Sequence, residues 1–273
     1  MPLHRPLALL FDMDGVLYND TVPIDGASGA LAWVRRHDIP HLFVTNTSSR
    51  SRRHLAEKLV RFGIAAQEGD IFCPPAAAAE WLRIHADGPV ALFAPEKARS
   101  EFAGLDILPL DCEAGARYVV IGDLAEAWDF RTINRAFRLL HSNPSSQLIA
   151  LGMTRFWQTP DGLQLDVGPF VAALECASGK RAIVFGKPAA PFFLAAAEKL
   201  GAAPEDVLMI GDDIDVDVGG AQRAGLMGAL VKTGKFRPSD LERGVFADIV
   251  LDSVAALPSW LAAFSDTMTS RRQ

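Results

Sequence analysis

Two aspartates one residue apart, Asp12 and Asp14, follow the apolar run Leu7-Ala8-Leu9-Leu10-Phe11 and are followed at once by Gly15. A run of this kind reads as a strand buried on both faces, as in a parallel sheet, and the glycine permits a sharp turn at its end. Two carboxylates delivered together repel, so one takes up a proton or a cation settles between them. One member of such a pair can attack phosphorus as a nucleophile. The other can serve as general acid and then as general base.

Three more polar groups stand in the same setting. Thr45 and Asn46 follow an apolar stretch at 41–44, Lys187 follows one at 182–185, and Asp212 and Asp213 follow one at 207–210, with Asp217 downstream. Parallel strands deliver their carboxyl ends to one edge of a sheet, where ligands bind. Residues distant in sequence are therefore expected to meet there. Carboxylates, a hydroxyl, an amide and one lysine suit a hard divalent cation held by oxygen, with Lys187, Thr45 and Asn46 left for phosphoryl oxygens.

Competing motifs fail on spacing. A calcium loop counted from Asp12 has Leu17 where glycine is needed and Pro23 at its twelfth position; counted from Asp213 it has Val218 and Ala224. A phosphate-binding Walker loop needs Ser or Thr after its lysine, but Lys187 precedes Pro188. Gly26-Ala27-Ser28-Gly29 lacks the Gly-x-Ser-x-Gly spacing of a nucleophile elbow. The bland alternatives are a plain turn at Asp12-Met13-Asp14-Gly15 and helix capping by Asp215 or Asp217.

The elements that must position these residues follow an alternating grammar. Strands at 7–11 and 41–44 alternate with helices at 27–36 and 50–62, which is the pattern of a doubly wound parallel sheet. From about residue 74 the texture changes. An alanine-rich helix at 76–84 leads into strands at 90–94, 118–121 and 147–151, a hairpin over 155–165 turning at Pro160-Asp161-Gly162, and a helix at 171–177. The strand at 182–185 reads as the return to the first sheet, followed by a helix at 192–200 and further strands at 207–210, 229–231 and 248–251. The expected organisation is an α/β core made of residues 1–77 and 182–273, interrupted by an inserted α/β domain at 78–181. Arg155 and Trp157 on the hairpin are candidates for substrate contact, with core packing as the rival reading.

A chain of 273 residues, 49% hydrophobic, can bury a substantial core. Its formal net charge of −6 argues against a nucleic-acid or anionic-membrane partner, which calls for a basic surface. No apolar run reaches membrane-spanning length and the N-terminus has no signal-peptide pattern. Cys73, Cys112 and Cys176 are odd in number and widely spaced, as expected of reduced thiols in the cytoplasm.

Taken in order, Asp12-Met13-Asp14-Gly15, Thr45, Lys187 and Gly211-Asp212-Asp213 with Asp217 resemble the four motifs of the haloacid dehalogenase superfamily. The insertion between the second and third motifs resembles that family's C2 cap. The stretches 165–170, 186–188, 211–225 and 233–240 are similar to the branch that contains phospholysine phosphohistidine inorganic pyrophosphatase. The resemblance covers the whole chain and implies a Rossmann-like core, Mg2+ as cofactor and a phosphatase acting on a small phosphorylated metabolite. It implies that Asp12 is the nucleophile and a metal ligand. It implies further that Asp14 is the general acid/base and lends its backbone carbonyl to the metal. By the same resemblance Thr45, Asn46 and Lys187 are expected to hold the phosphate and Asp212 to complete the metal ligands, with Asp213 and Asp217 close behind. A homodimer through the cap is a further implication. Some members of the branch have Ser at the position of Asp14; the acid here favours ordinary ester hydrolysis. Hydrolysis of pyrophosphate or phosphoamides, and a non-catalytic ligand sensor, stand as alternatives.

Overall fold

The computed structural model describes residues 4–47, 50–159 and 162–269. Its backbone contacts divide the chain into two compact units. Met1–Thr45, Arg52–Phe72 and Lys187–Gln273 form one, and Asn46–Ser51 with Cys73–Gly186 form the other.

The first unit is built on a six-stranded, all-parallel sheet. Its order is Ile249–Leu251, Met227–Val231, Val207–Gly211, Ala8–Asp12, His41–Val44 and Ile71–Phe72. Ala8–Asp12 is buried along its whole length, as a central strand covered on both faces must be. Leu9, Phe11 and Phe43 face the helices Ala27–Arg36, Arg52–Arg61 and Leu257–Thr269 through Leu31, Val34, Leu55, Leu59, Leu257 and Leu261. The opposite face is covered by Ala190–Leu200, whose Phe192 ring lies 5.4 Å from that of Phe72. Helices on both faces are the doubly wound arrangement that the alternating grammar predicts.

The second unit carries its own parallel sheet, in the order Ile183–Val184, Gln147–Ala150, Tyr118–Ile121 and Val90–Phe93. Phe130–His141 and Val167–Ser178 pack against it through Ala136, Leu139, Leu140, Val171 and Leu174. A separate antiparallel pair, Phe156–Thr159 with Gly162–Leu165, forms the expected hairpin; Pro160 and Asp161 at its tip lie outside the described residues.

Two expectations are corrected here. The stretch at 182–185 does not return to the first sheet: Ile183 and Val184 pair with Ile149 and Ala150 of the second. Residues 182–186 and 73–77 accordingly group with the inserted unit. The helix expected at 171–177 begins at Val167, capped by the Asp166 side chain on the Val167 N–H at 2.7 Å. Gly168-Pro169 reads as a helix breaker, yet proline is tolerated in the first helical turn, where its missing N–H costs nothing.

Candidate active site

The parallel register decides what meets at the carboxyl edge of the first sheet. Phe11 pairs with Ile210 and Asp12 with Val44. Thr45, the residue after Val44, and Asp212, two residues beyond Ile210 and just past the end of its strand, are therefore delivered to the same edge as Asp12. Lys187 enters the same unit from a different direction, as the first residue after the inserted segment.

The result is a buried charge cluster. Lys187 Nζ lies 2.7 Å from Asp12 Oδ1 and 2.7 Å from Asp217 Oδ1. Asp12 Oδ1 also accepts the Met13 N–H at 2.8 Å. Carboxylate oxygens of Asp12, Asp212 and Asp217 all come within 4.8 Å of one another. Asp12 and Lys187 are 7% exposed, and Asp212 and Asp217 1%. Three carboxylates against one ammonium leave a formal charge of −2.

Burying that excess is costly, and the titration shifts record it. Burial pushes Asp217 up to about 6, with the Lys187 ammonium opposing the rise and Asp12 adding to it. Burial likewise raises Asp212, against the Lys235 N–H and ammonium. Burial by itself would lower Lys187, but Asp12 and Asp217 outweigh it and hold the ammonium above the ordinary lysine range. Asp212 Oδ1 is buried with no hydrogen-bond partner among the described residues. An all-oxygen donor set with an orphaned carboxylate oxygen and a surplus of two negative charges fits a hard divalent cation.

The turn after Val207–Gly211 separates the two neighbouring aspartates. Residues Ile214–Val218 form a single π-helical turn, a form that recurs at functional sites. Asp213 Oδ1 caps it, accepting the Asp215 and Val216 N–H groups at 3.0 Å each. Asp217, one turn on, swings back to Lys187, and its Oδ2 accepts the Asp213 N–H at 3.2 Å. Asp213 thus shapes the turn, while Asp217 stands in the cluster itself. Asp215 points to the surface and pairs with Arg243 at 2.7 Å.

Asp14 is exposed, and its Oδ1 accepts the Asp20 N–H at 3.2 Å. Thr45 is half-buried and its N–H donates to the Phe72 carbonyl at 3.1 Å. Asn46 is exposed and groups with the inserted unit. Arg155, in the inserted unit, is exposed, with its guanidinium 5.7 Å from the Phe156 ring. Trp157 lies on the Phe156–Thr159 strand, and its side chain falls outside the described ones.

Sequence reasoning missed one part of the cluster's frame. The loop after Met227–Val231 folds onto Asp212: the Lys235 N–H donates to Asp212 Oδ2 at 2.6 Å, and Thr233 Oγ1 donates to the Gly15 carbonyl at 2.5 Å. A Cβ on Gly15 or Gly234 would strike the Asp212 carboxylate, and both residues have positive φ, +87° and +63°. The Thr-Gly-Lys triplet after a buried strand was the available signal.

Comparison with known proteins gives the class. A profile described as haloacid dehalogenase-like hydrolase matches residues 9–107, and a second, described as HAD-hydrolase-like, matches residues 184–257. The chain is 38% identical over 265 residues to the phospholysine phosphohistidine inorganic pyrophosphate phosphatase of Xenopus laevis, covering 95% of this chain and 96% of that protein. Among solved structures, a p-nitrophenyl phosphatase from Archaeoglobus fulgidus superposes with a TM-score of 0.80 at 28% identity, covering 93% of this chain and 99% of that one. NagD from Escherichia coli K-12 shares the fold, with a TM-score of 0.77 at 24% identity over 92% of this chain and 97% of that one. The chain belongs to the haloacid dehalogenase-like hydrolase family, with a Rossmann-like core and an inserted cap.

Proposed function

We infer that the protein is a phosphatase of this family and propose that it hydrolyses small phosphorylated metabolites with Mg2+, through an aspartyl-phosphate on Asp12. The observation that carries the reading is the Lys187 ammonium held between Asp12 and Asp217, beside the orphaned Asp212 oxygen, at the carboxyl edge of the sheet. Phosphoryl transfer moves an anionic group, so fixed positive charge must stand beside it.

Asp12, the Asp14 backbone carbonyl and Asp212 would hold the cation, with Asp217 and Asp213 at one remove. When bound, a divalent cation offsets the negative charge of the Asp12 carboxylate and of the incoming phosphoryl oxygens. Lys187 and the Met13 N–H fix the orientation of the Asp12 carboxylate. An Asp12 oxygen attacks phosphorus, the bond to the leaving oxygen breaks, and the Asp14 carboxyl donates its proton to that oxygen. Asp14, now a carboxylate, takes a proton from water, and the hydroxide attacks phosphorus. The bond to Asp12 then breaks and releases inorganic phosphate. Thr45, Asn46 and Lys187 bind the non-bridging oxygens throughout. Exposure of Asp14 suits this exchange, because it must meet both leaving group and water.

The 38% identical relative is named for phospholysine, phosphohistidine and inorganic pyrophosphate; hydrolysis of P–N or P–O–P bonds is therefore the second reading. Arg155 and Trp157 are proposed contacts for the leaving group, and a homodimer through the cap is proposed on the exposed apolar side chains Phe156, Leu163 and Leu165 of its hairpin. Among the described residues no helix is long and apolar enough to cross a membrane, and a cytoplasmic location is proposed.

The test is Asp12→Asn. Hydrolysis of p-nitrophenyl phosphate with Mg2+ should vanish while the circular dichroism spectrum and unfolding midpoint persist. Turnover retained in the variant would remove Asp12 as nucleophile.

A further inference from the structure

The loop after Met227–Val231 carries more positive charge than the catalytic reading uses. Together with the turn that starts at Asp212 it lines a cavity of about 410 Å3, and Lys235, Arg237, Ser239 and Arg243 all face it. The cavity lies wholly within the first unit.

The charges on its wall divide cleanly. Arg243 closes on Asp215 at 2.7 Å and faces Asp240 at 3.6 Å. Asp240 Oδ2 accepts the Arg237 N–H at 2.7 Å. Asp213 is engaged in capping the π-turn, and Asp212 belongs to the acidic cluster. The Lys235 ammonium and the Arg237 guanidinium are exposed and form no ion pair among the described residues. The cavity therefore presents the Arg237 guanidinium, the Lys235 ammonium, which acts on the Asp212 carboxylate without closing an ion pair on it, and the Ser239 hydroxyl. Guanidinium matches phosphate and carboxylate oxygens in bidentate fashion, and an ammonium adds a point charge.

We propose that this cavity is an anion subsite, taking a phosphate- or carboxylate-bearing group other than the phosphoryl group that reacts at Asp12. Its wall shares Asp212 with the acidic cluster, and the Lys235 N–H that seats Asp212 Oδ2 belongs to the same residue as one of the two cations. The occupant is either a second anionic group of the substrate or a free anion. The first case rests on the phosphatase reading, and the second does not.

The experiment compares the full-length parent with Arg237→Gln and Arg237→Lys. Equilibrium dialysis of inorganic phosphate with Mg2+ present should show affinity about tenfold weaker in Arg237→Gln, the loss of one charge-assisted contact at an exposed site. Arg237→Lys should recover part of it. Calorimetric Mg2+ affinity should match the parent, which shows that the acidic cluster is intact. Inorganic pyrophosphate carries a second anionic group and p-nitrophenyl phosphate does not. A rise of about tenfold in KM for pyrophosphate alone, at constant kcat, identifies the occupant as part of the substrate. Weaker phosphate binding with an unchanged ratio of the two KM values identifies a free anion. Phosphate binding equal to the parent's, with an unchanged KM ratio, overturns the subsite. A parent that releases phosphate from neither compound refutes the phosphatase reading, while the dialysis still decides the subsite.

Discussion

Replacing Gly234 with alanine adds one methyl group, yet it should disable a residue 22 positions earlier in the chain, Asp212. The new Cβ would sit 2.9 Å from Asp212 Cγ, and closer still to Asp212 Oδ2 and to the Cα of Gly15, whereas real Cβ atoms keep at least 3.0 Å from such neighbours. Neither neighbour is a flexible end: Gly15 is backbone, and Asp212 is 1% exposed and tied to the Lys235 N–H. Either the loop or the carboxylate must move by roughly 1 Å, a misplacement that costs on the order of 10²-fold in rate at a catalytic centre. The left-handed backbone adds a cost of about 1–2 kcal/mol to stability. Gly201 supplies the matched control, with φ +66° and nothing within 4 Å of an added Cβ. Hydrolysis of p-nitrophenyl phosphate across a Mg2+ titration should show Gly234→Ala about 10²-fold slower at low metal, with recovery at high metal. Gly201→Ala should lose comparable stability and keep the parent's metal response. If the two variants behave alike in both assays, contact with Asp212 is not what Gly234 is needed for.

Other perturbations address the remaining parts. Lys187→Met strands three buried carboxylates, and urea denaturation at neutral pH in chelator should show a loss of about 3–5 kcal/mol; a loss under 1 kcal/mol would mean the cluster is solvated. Asp213→Ala removes the cap of the π-turn, so the unfolding midpoint should fall by the equivalent of about 1 kcal/mol while the Mg2+ dependence keeps its form; loss of metal response would place Asp213 among the ligands. Activity should disappear in excess chelator and return on adding Mg2+, and turnover that survives chelation would exclude the metal role. His41 tests the pH dependence of the fold. Burial, with Arg35 adding to it, lowers its pKa below 6.5. Its Nδ1 donates to the Ile39 carbonyl at 2.9 Å, while Nε2 is buried without a hydrogen-bond partner among the described residues, and the ring makes edge contacts with Phe11 and Phe43. Protonation is thus easier in the unfolded chain, and the stability from this group, complete above pH 6.5, is lost as pH falls below it. His41→Gln should flatten that part of the stability–pH curve, and an unchanged curve would refute the assignment.

The carboxyl edge was legible because each element there announces itself locally. Apolar runs at 8–11, 41–44 and 207–210 can only be buried parallel strands in an alternating chain, and the polar residues that end them must share an edge. Asp12, Thr45 and Asp212 follow from that alone, without knowledge of any contact. The stretch at 182–185 has the same texture, but its neighbour is a matter of pairing between distant strands, and two parallel sheets compete for it. Only the tertiary structure assigns it to Gln147–Ala150 and so brings Lys187 into the cluster from a loop.

The division of labour between Asp213 and Asp217 also lay beyond the sequence. Both follow the same strand, and a π-turn, whose hydrogen bonds span five residues, is what sends one into the cap and the other to Lys187. The loop at 233–235 is the extreme case, because its Thr-Gly-Lys is ordinary turn chemistry until a strand order of 227–231 beside 207–211 lays it across Asp212. Residue type and local period thus fixed which side chains could do chemistry and on which edge. Long-range pairing and the close approach of backbone to a buried carboxylate decided how they are held.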